Sequence, residues 1–170
     1  MIQLVNFFWG LCSLKTAPQD LPASHFLLGL MLLAYFLTSM VVAVLQWPVP
    51  QAVLAALLDT VLLTILCYVL LWARLLNQRF LQTLTALAGS GALLGWIAAP
   101  LIVWQKQVGA TATGIAALPV LLLYMWMIWN VVVVGHILRH ALSTALVLGV
   151  GLAGAYAYIT FQLIRIFLPH

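Results

Sequence analysis

Glutamate is absent from this sequence, and aspartate occurs only at Asp20 and Asp59. Charged residues make up 5% of the 170, against about 25% in a soluble globular domain. That leaves too little polar surface to cover a ball of this size in water, so lipid must be the solvent for most of it. The same shortage removes catalytic arrangements, because one Asp among apolar residues and no Glu cannot form a carboxylate pair or a triad. No enzyme motif is present and no cofactor is implied. Cysteine is scarce as well. Cys12 and Cys67 lack metal-ligand spacing and fall on or near the side assigned below to the cytoplasm, where thiols stay reduced. The six lysines and arginines are scattered singly at the ends of apolar stretches. They form no basic patch for nucleic acid, and they suit anionic headgroups, so the lipid bilayer is the partner that the composition implies.

What the chain does have is apolar length: 66% of its residues are hydrophobic, with a mean hydropathy of +1.22. Four interruptions divide it: Trp47-Pro48-Val49-Pro50-Gln51, Arg74 to Arg79, Gln105 to Gly114, and the weaker Gly135-His136-Ile137-Leu138-Arg139-His140. The spans expected between them cover about 26–46, 52–73, 80–104, 115–135 and 142–164, each long enough for a hydrocarbon core of roughly 30 Å. The runs show no apolar/polar alternation and are too long for barrel strands. The expectation is an all-α polytopic transmembrane bundle of about five spans, forming a single membrane domain over 1–170. Met1 to Gly10 carries no basic leader, no small-residue cleavage site follows it, and it is too short to span. A short interfacial helix is expected over 2–14, with Phe7, Phe8, Trp9 and Leu11 in the acyl boundary.

Lys15, Arg74, Arg79 and Arg139 fall on the N-terminal side of the spans, and Lys106 and Arg165 on the other. This four-to-two bias places the N-terminus in the cytoplasm and the C-terminus outside. Trp47, Trp96 and Trp104 then form an outer belt, with Trp72 at the inner face. Pro100 and Pro119, near the outer ends of spans 3 and 4, suggest a bent hairpin.

Asp59 is the only acidic residue inside a span. Counting from Gln51 puts it roughly 12 Å below the outer edge. Insertion of a central Asp costs about 2.5–3.5 kcal/mol, so it should face the bundle and find partners. Thr38 and Ser39 share its layer, and Ser90 lies a turn or two deeper. The side chain can serve as a proton or cation relay, or as a hydrogen-bonded lock between helices. Asn130, counted about 9 Å from the cytoplasmic edge, is expected to share a layer with Cys67 and Thr85 and to act as interhelical glue. Trp126 and Trp129 beside it fill space or face lipid.

His136 and His140 are four apart, hence on one face if that segment is helical. With His25 and Cys12 near the same surface they are weak candidates for a metal site, although histidines there also suit a helix C-terminus. Gly149-x-Gly151-x-x-Gly154 has the letters of a dinucleotide fingerprint without its strand or βαβ unit. In a membrane helix these glycines make a smooth packing face, as does Gly91-Ala92-Leu93-Leu94-Gly95, so spans 3 and 5 are expected to meet closely.

The segments Ala17 to Ser24, Phe80 to Gly91 and Gly135 to Leu142, taken in order, resemble small bacterial inner-membrane proteins grouped with the Yip-type (Ypt/Rab-interacting-protein-like) five-span family. The resemblance implies a five-helix membrane fold with a cytoplasmic N-terminus and carries no catalytic residue. The function expected from the sequence is therefore that of a non-catalytic membrane protein acting through helix–helix contacts, with other membrane proteins or with copies of itself. The alternative is a small transporter or proton-coupled channel centred on Asp59.

Overall fold

The computed structural model describes residues 2–109 and 114–167. The helices are α1 (Ile2–Cys12), α2 (His25–Val44), α3 (Val49–Ala73), α4 (Phe80–Val108), α5 (Leu118–Leu142) and α6 (Leu146–Phe167). Short 3-10 turns lie at Pro18–Asp20, Asn77–Arg79 and Gly114–Ala117, and no strand occurs among the described residues. The five helices α2 to α6 are long and apolar enough to cross a membrane. Large apolar side chains such as Phe26, Ile128, Val147 and Ile159 point outward along them. In water such a surface would aggregate, whereas in lipid it costs nothing. This is an integral membrane protein of helical type.

Local chemistry sets the ends. Ser24 caps α2, its side chain accepting from the Leu27 N–H at 3.3 Å. Pro48 precedes α3 and Pro50 lies in its first turn, where a missing N–H costs no helical bond. Pro119 holds the same position in α5, so among the described residues only Pro100 lies in a helix beyond its first turn. Of the Gln105–Gly114 interruption, residues 110–113 lie outside the described residues.

The fourth interruption is not where the sequence suggests. Gly135 to His140 are helical, and α5 runs on to Leu142. A glycine inside a helix costs about 1 kcal/mol relative to Ala, but here it creates a close crossing. A Cβ on Gly135 would stand 2.7 Å from the Val150 Cα, and one on Gly149 would meet the Gly135 carbonyl oxygen. The chain turns instead after Leu142. Ser143 takes a left-handed φ of 53°, and the Thr144 N–H donates to the Arg139 carbonyl at 2.9 Å. Arg79, in the turn just before α4, reaches this end and donates to the Ala141 carbonyl at 3.1 Å and to Ser143 Oγ at 2.9 Å. It supplies a cation where the helix dipole favours one.

The neighbour order around the bundle is α3, α2, α4, α5, α6, closed by a lighter contact between α6 and α3. Residues Thr83 to Ser90 of α4 are buried without a break. Spans 3 and 5, expected to meet, are α4 and α6, and they share no substantial face. Gly91 and Gly95 of α4 face α2 instead: their Cβ positions lie 2.5 Å from Tyr35 and Thr38 side-chain atoms. Gly149 packs on α5, while Gly151 and Gly154 meet nothing within 4 Å. Small residues do permit close approach, but the sequence does not say which neighbour each stripe meets.

Helix α1 lies outside the ring, against α4 and α5. The interfacial reading placed four of its side chains in lipid, and the structure divides them. Trp9 is exposed, but Phe8 and Leu11 are buried against protein, with the Phe8 ring over Gly89. Gly89 lies about 14 Å along α4 from Phe80, so α1 docks well below the helix ends.

Candidate functional site

Asp59 stands between three helices. From α2, the Tyr35 hydroxyl donates to its Oδ2 at 2.6 Å and the Ser39 hydroxyl to the same oxygen at 3.1 Å. From α6, the Tyr156 hydroxyl donates to Oδ1 at 3.2 Å. Tyr35 and Ser39 are four residues apart on α2 and so share one face. The three donors satisfy both carboxyl oxygens without any cation.

Beside this cluster is a partly open cavity of about 330 Å³. Every span contributes to its wall, through Thr38 of α2, Asp59 of α3, Gly91 of α4, Asn130 of α5 and Thr160 of α6. The lining is mainly apolar and aromatic, and among the described residues no lysine, arginine or histidine belongs to it. It extends to Gln46, Trp47 and Ile164, at the end of the bundle away from Arg74, Arg79 and Arg139. One water needs about 10–15 Å³ of such space, so the cavity is far from a packing defect.

The polar residues named from the sequence separate here. Ser39 is a direct partner of Asp59, and Thr38 lines the cavity with its methyl group under Gly95. Asn130 is a correction. It was placed nearer the cytoplasmic edge with Cys67 and Thr85, but it lines the Asp59 cavity, and neither of those does. The longer α5 explains this, because the extra turns from Gly135 to Leu142 put Asn130 about 18 Å from that end. Ser90 is not part of the site. Its hydroxyl donates within α4, to Ala86 O at 2.7 Å and Leu87 O at 3.2 Å.

Histidines 136 and 140 do come together, rings edge to face at 4.7 Å. His136 Nε2 lies 3.1 Å from the Thr16 carbonyl. Among the described residues no group of three or more His, Cys, Asp or Glu could hold a metal ion, and His25 joins no such cluster. The neighbourhood is a seam: Gln19 donates to the His140 carbonyl at 2.7 Å, and Gln82 to the Leu21 carbonyl at 2.6 Å. It ties the segment after α1 to α4 and α5.

Both cysteines are free and buried. Burial pushes the Cys12 thiol up to about 11, since a thiolate there would lose its water. Trp126 and Trp129 do more than fill space, donating to the carbonyls of Leu94 at 3.0 Å and Cys12 at 3.1 Å.

Two site residues escaped the sequence reading, Tyr35 and Tyr156. The available signal was the spacing Tyr35-x-x-x-Ser39 on a helix already thought to face Asp59. A tyrosine far from either end of a span must find a partner for its hydroxyl. No protein-family model, curated protein or solved structure matches this chain.

Proposed function

We propose that this protein is a small membrane transporter or proton-coupled channel, in which Asp59 exchanges a proton or cation with a solute held in the adjoining cavity. The observation that carries this reading is the cavity itself. A carboxyl that only locked helices together would be enclosed by tight packing, since interiors are close-packed. This one borders a partly open cavity instead. Ionisable groups inside spans commonly mark ion or proton paths where they face a cavity, and the three hydroxyl donors hold the side chain in place for exchange. The helix-contact reading uses the same fold but assigns the cavity no role.

The proposal includes the bacterial inner membrane, through the resemblance to Yip-type five-span proteins. It also includes a cytoplasmic N-terminus, through the distribution of lysine and arginine. The end of the cavity at Gln46, Trp47 and Ile164 then lies towards the outer face. Purified protein in vesicles with an imposed pH gradient, reported by a trapped pH dye, tests the reading. Proton entry above that of empty vesicles is expected. Flux equal to empty vesicles, with or without candidate solutes, contradicts it.

A further inference from the structure

We infer that the solute of this cavity is a monovalent organic cation of the substituted-ammonium class, its charge set at Asp59 and its apolar body among the rings. This rests on the preceding reading of the cavity as a solute site. Three features of the wall select the class. The first is charge: among the described residues Asp59 is the only carboxylic acid in the lining, and no basic side chain joins it there to receive an anion. Lys106 and Arg165, the two described lysine or arginine residues towards the end at Gln46 and Ile164, do not line the cavity. Lys106 donates to the Leu45 carbonyl, and Arg165 lies over the Phe161 ring, 5.8 Å from its centroid.

The second feature is the rest of the wall. Tyr35, Trp47, Trp126 and Tyr156 border the space, with Val42, Met127 and Ile164 between them. Such a surface cannot replace the water shell of a small inorganic ion. It can attract a substituted ammonium over its ring faces and bury the hydrocarbon attached to it. The third is size. A cavity of about 330 Å³ lies at the lower end of ordinary small-molecule sites, which run from roughly 300 to 1,000 Å³. A cation carrying one ring fits this range.

The test titrates the whole protein in dodecyl maltoside with benzyltrimethylammonium, following tryptophan fluorescence. Parallel titrations use its uncharged carbon isostere neopentylbenzene and the anion benzoate. Saturable binding of the cation is expected, at least tenfold tighter than either control, and weakened at least tenfold by Asp59→Asn. Equal binding of neopentylbenzene overturns the inference, as does a failure of the cation to saturate. The comparison of ligands needs no variant, so it decides the matter even where Asp59→Asn fails to fold. Proton flux in vesicles without cation binding would sink this inference alone. Absence of both would remove the solute-site reading beneath it.

Discussion

At the scale of the residue, the account turns on what Asp59 receives. Its oxygens accept from Tyr35, Ser39 and Tyr156. Replacing it by leucine strands three hydroxyls, and Asp59→Leu should lose about 1–3 kcal/mol of stability against unfolding in detergent. Asp59→Asn keeps a carbonyl acceptor and the size of the side chain, so its loss should stay below about 1 kcal/mol. Equal losses would mean that the hydroxyls do not depend on this acceptor. Asp59 and Ser39 were legible in the sequence because one is the lone acid in an apolar run and the other follows from helical rise. The expected depth of Asn130 differs for a single reason: it counts from Gly135, whereas α5 ends at Leu142. Tyr35 and Tyr156 were hidden because a tyrosine in an apolar stretch reads equally as belt, filler or donor. Only the neighbour across the gap decides which it is.

Among the elements, glycine positions separate packing from mere composition. Gly135 and Gly149 form the α5–α6 crossing, where a Cβ meets backbone atoms that cannot move aside. Gly135→Ala and Gly149→Ala should each cost about 1–3 kcal/mol, whereas Gly151→Ala and Gly154→Ala, facing open space, should be tolerated. Detergent unfolding of the four variants measures this, and a destabilised Gly151→Ala would displace the crossing. The sequence marked Gly149 as a packing residue but read Gly135 as a break, since glycine signals both. A second device at this scale is the docking of α1. Gly89→Ala would drive a methyl into the Phe8 ring and should release the helix. Cys12 reports the event. With its thiol pushed up to about 11, its thiolate fraction and so its maleimide reaction should rise about tenfold per pH unit between pH 7 and 10. An ordinary thiol levels off above about 8.5. In Gly89→Ala the rate at pH 7 should climb towards that of an ordinary thiol. An unchanged rate and pH profile would show that α1 does not depend on the Phe8–Gly89 contact.

For the whole molecule, the five candidate spans and their helical class were legible because length and hydropathy act on each segment alone. The neighbour order was not, because in lipid every apolar face is equally content outside, and close steric fit chooses the partners. The proposed orientation rests on the charge distribution. In a cysteine-free background, Lys106→Cys should react with an impermeant reagent from outside the cell, and Asn77→Cys and Lys15→Cys only from inside. Labelling of position 77 from outside would invert the protein. The proposed function is tested most directly by proton flux into vesicles holding wild type, Asp59→Asn or Asp59→Leu, with unfolding of each followed in parallel. The two substitutions separate hydrogen bonding from titration, since asparagine can accept from Tyr35 and Ser39 through its carbonyl and donate to Tyr156 through its NH2 but exchanges no proton. The expected result is flux in the wild type alone, with Asp59→Asn folded and close to wild-type stability. Wild-type flux in folded Asp59→Asn, or none in the wild type, would contradict an exchanging role for Asp59.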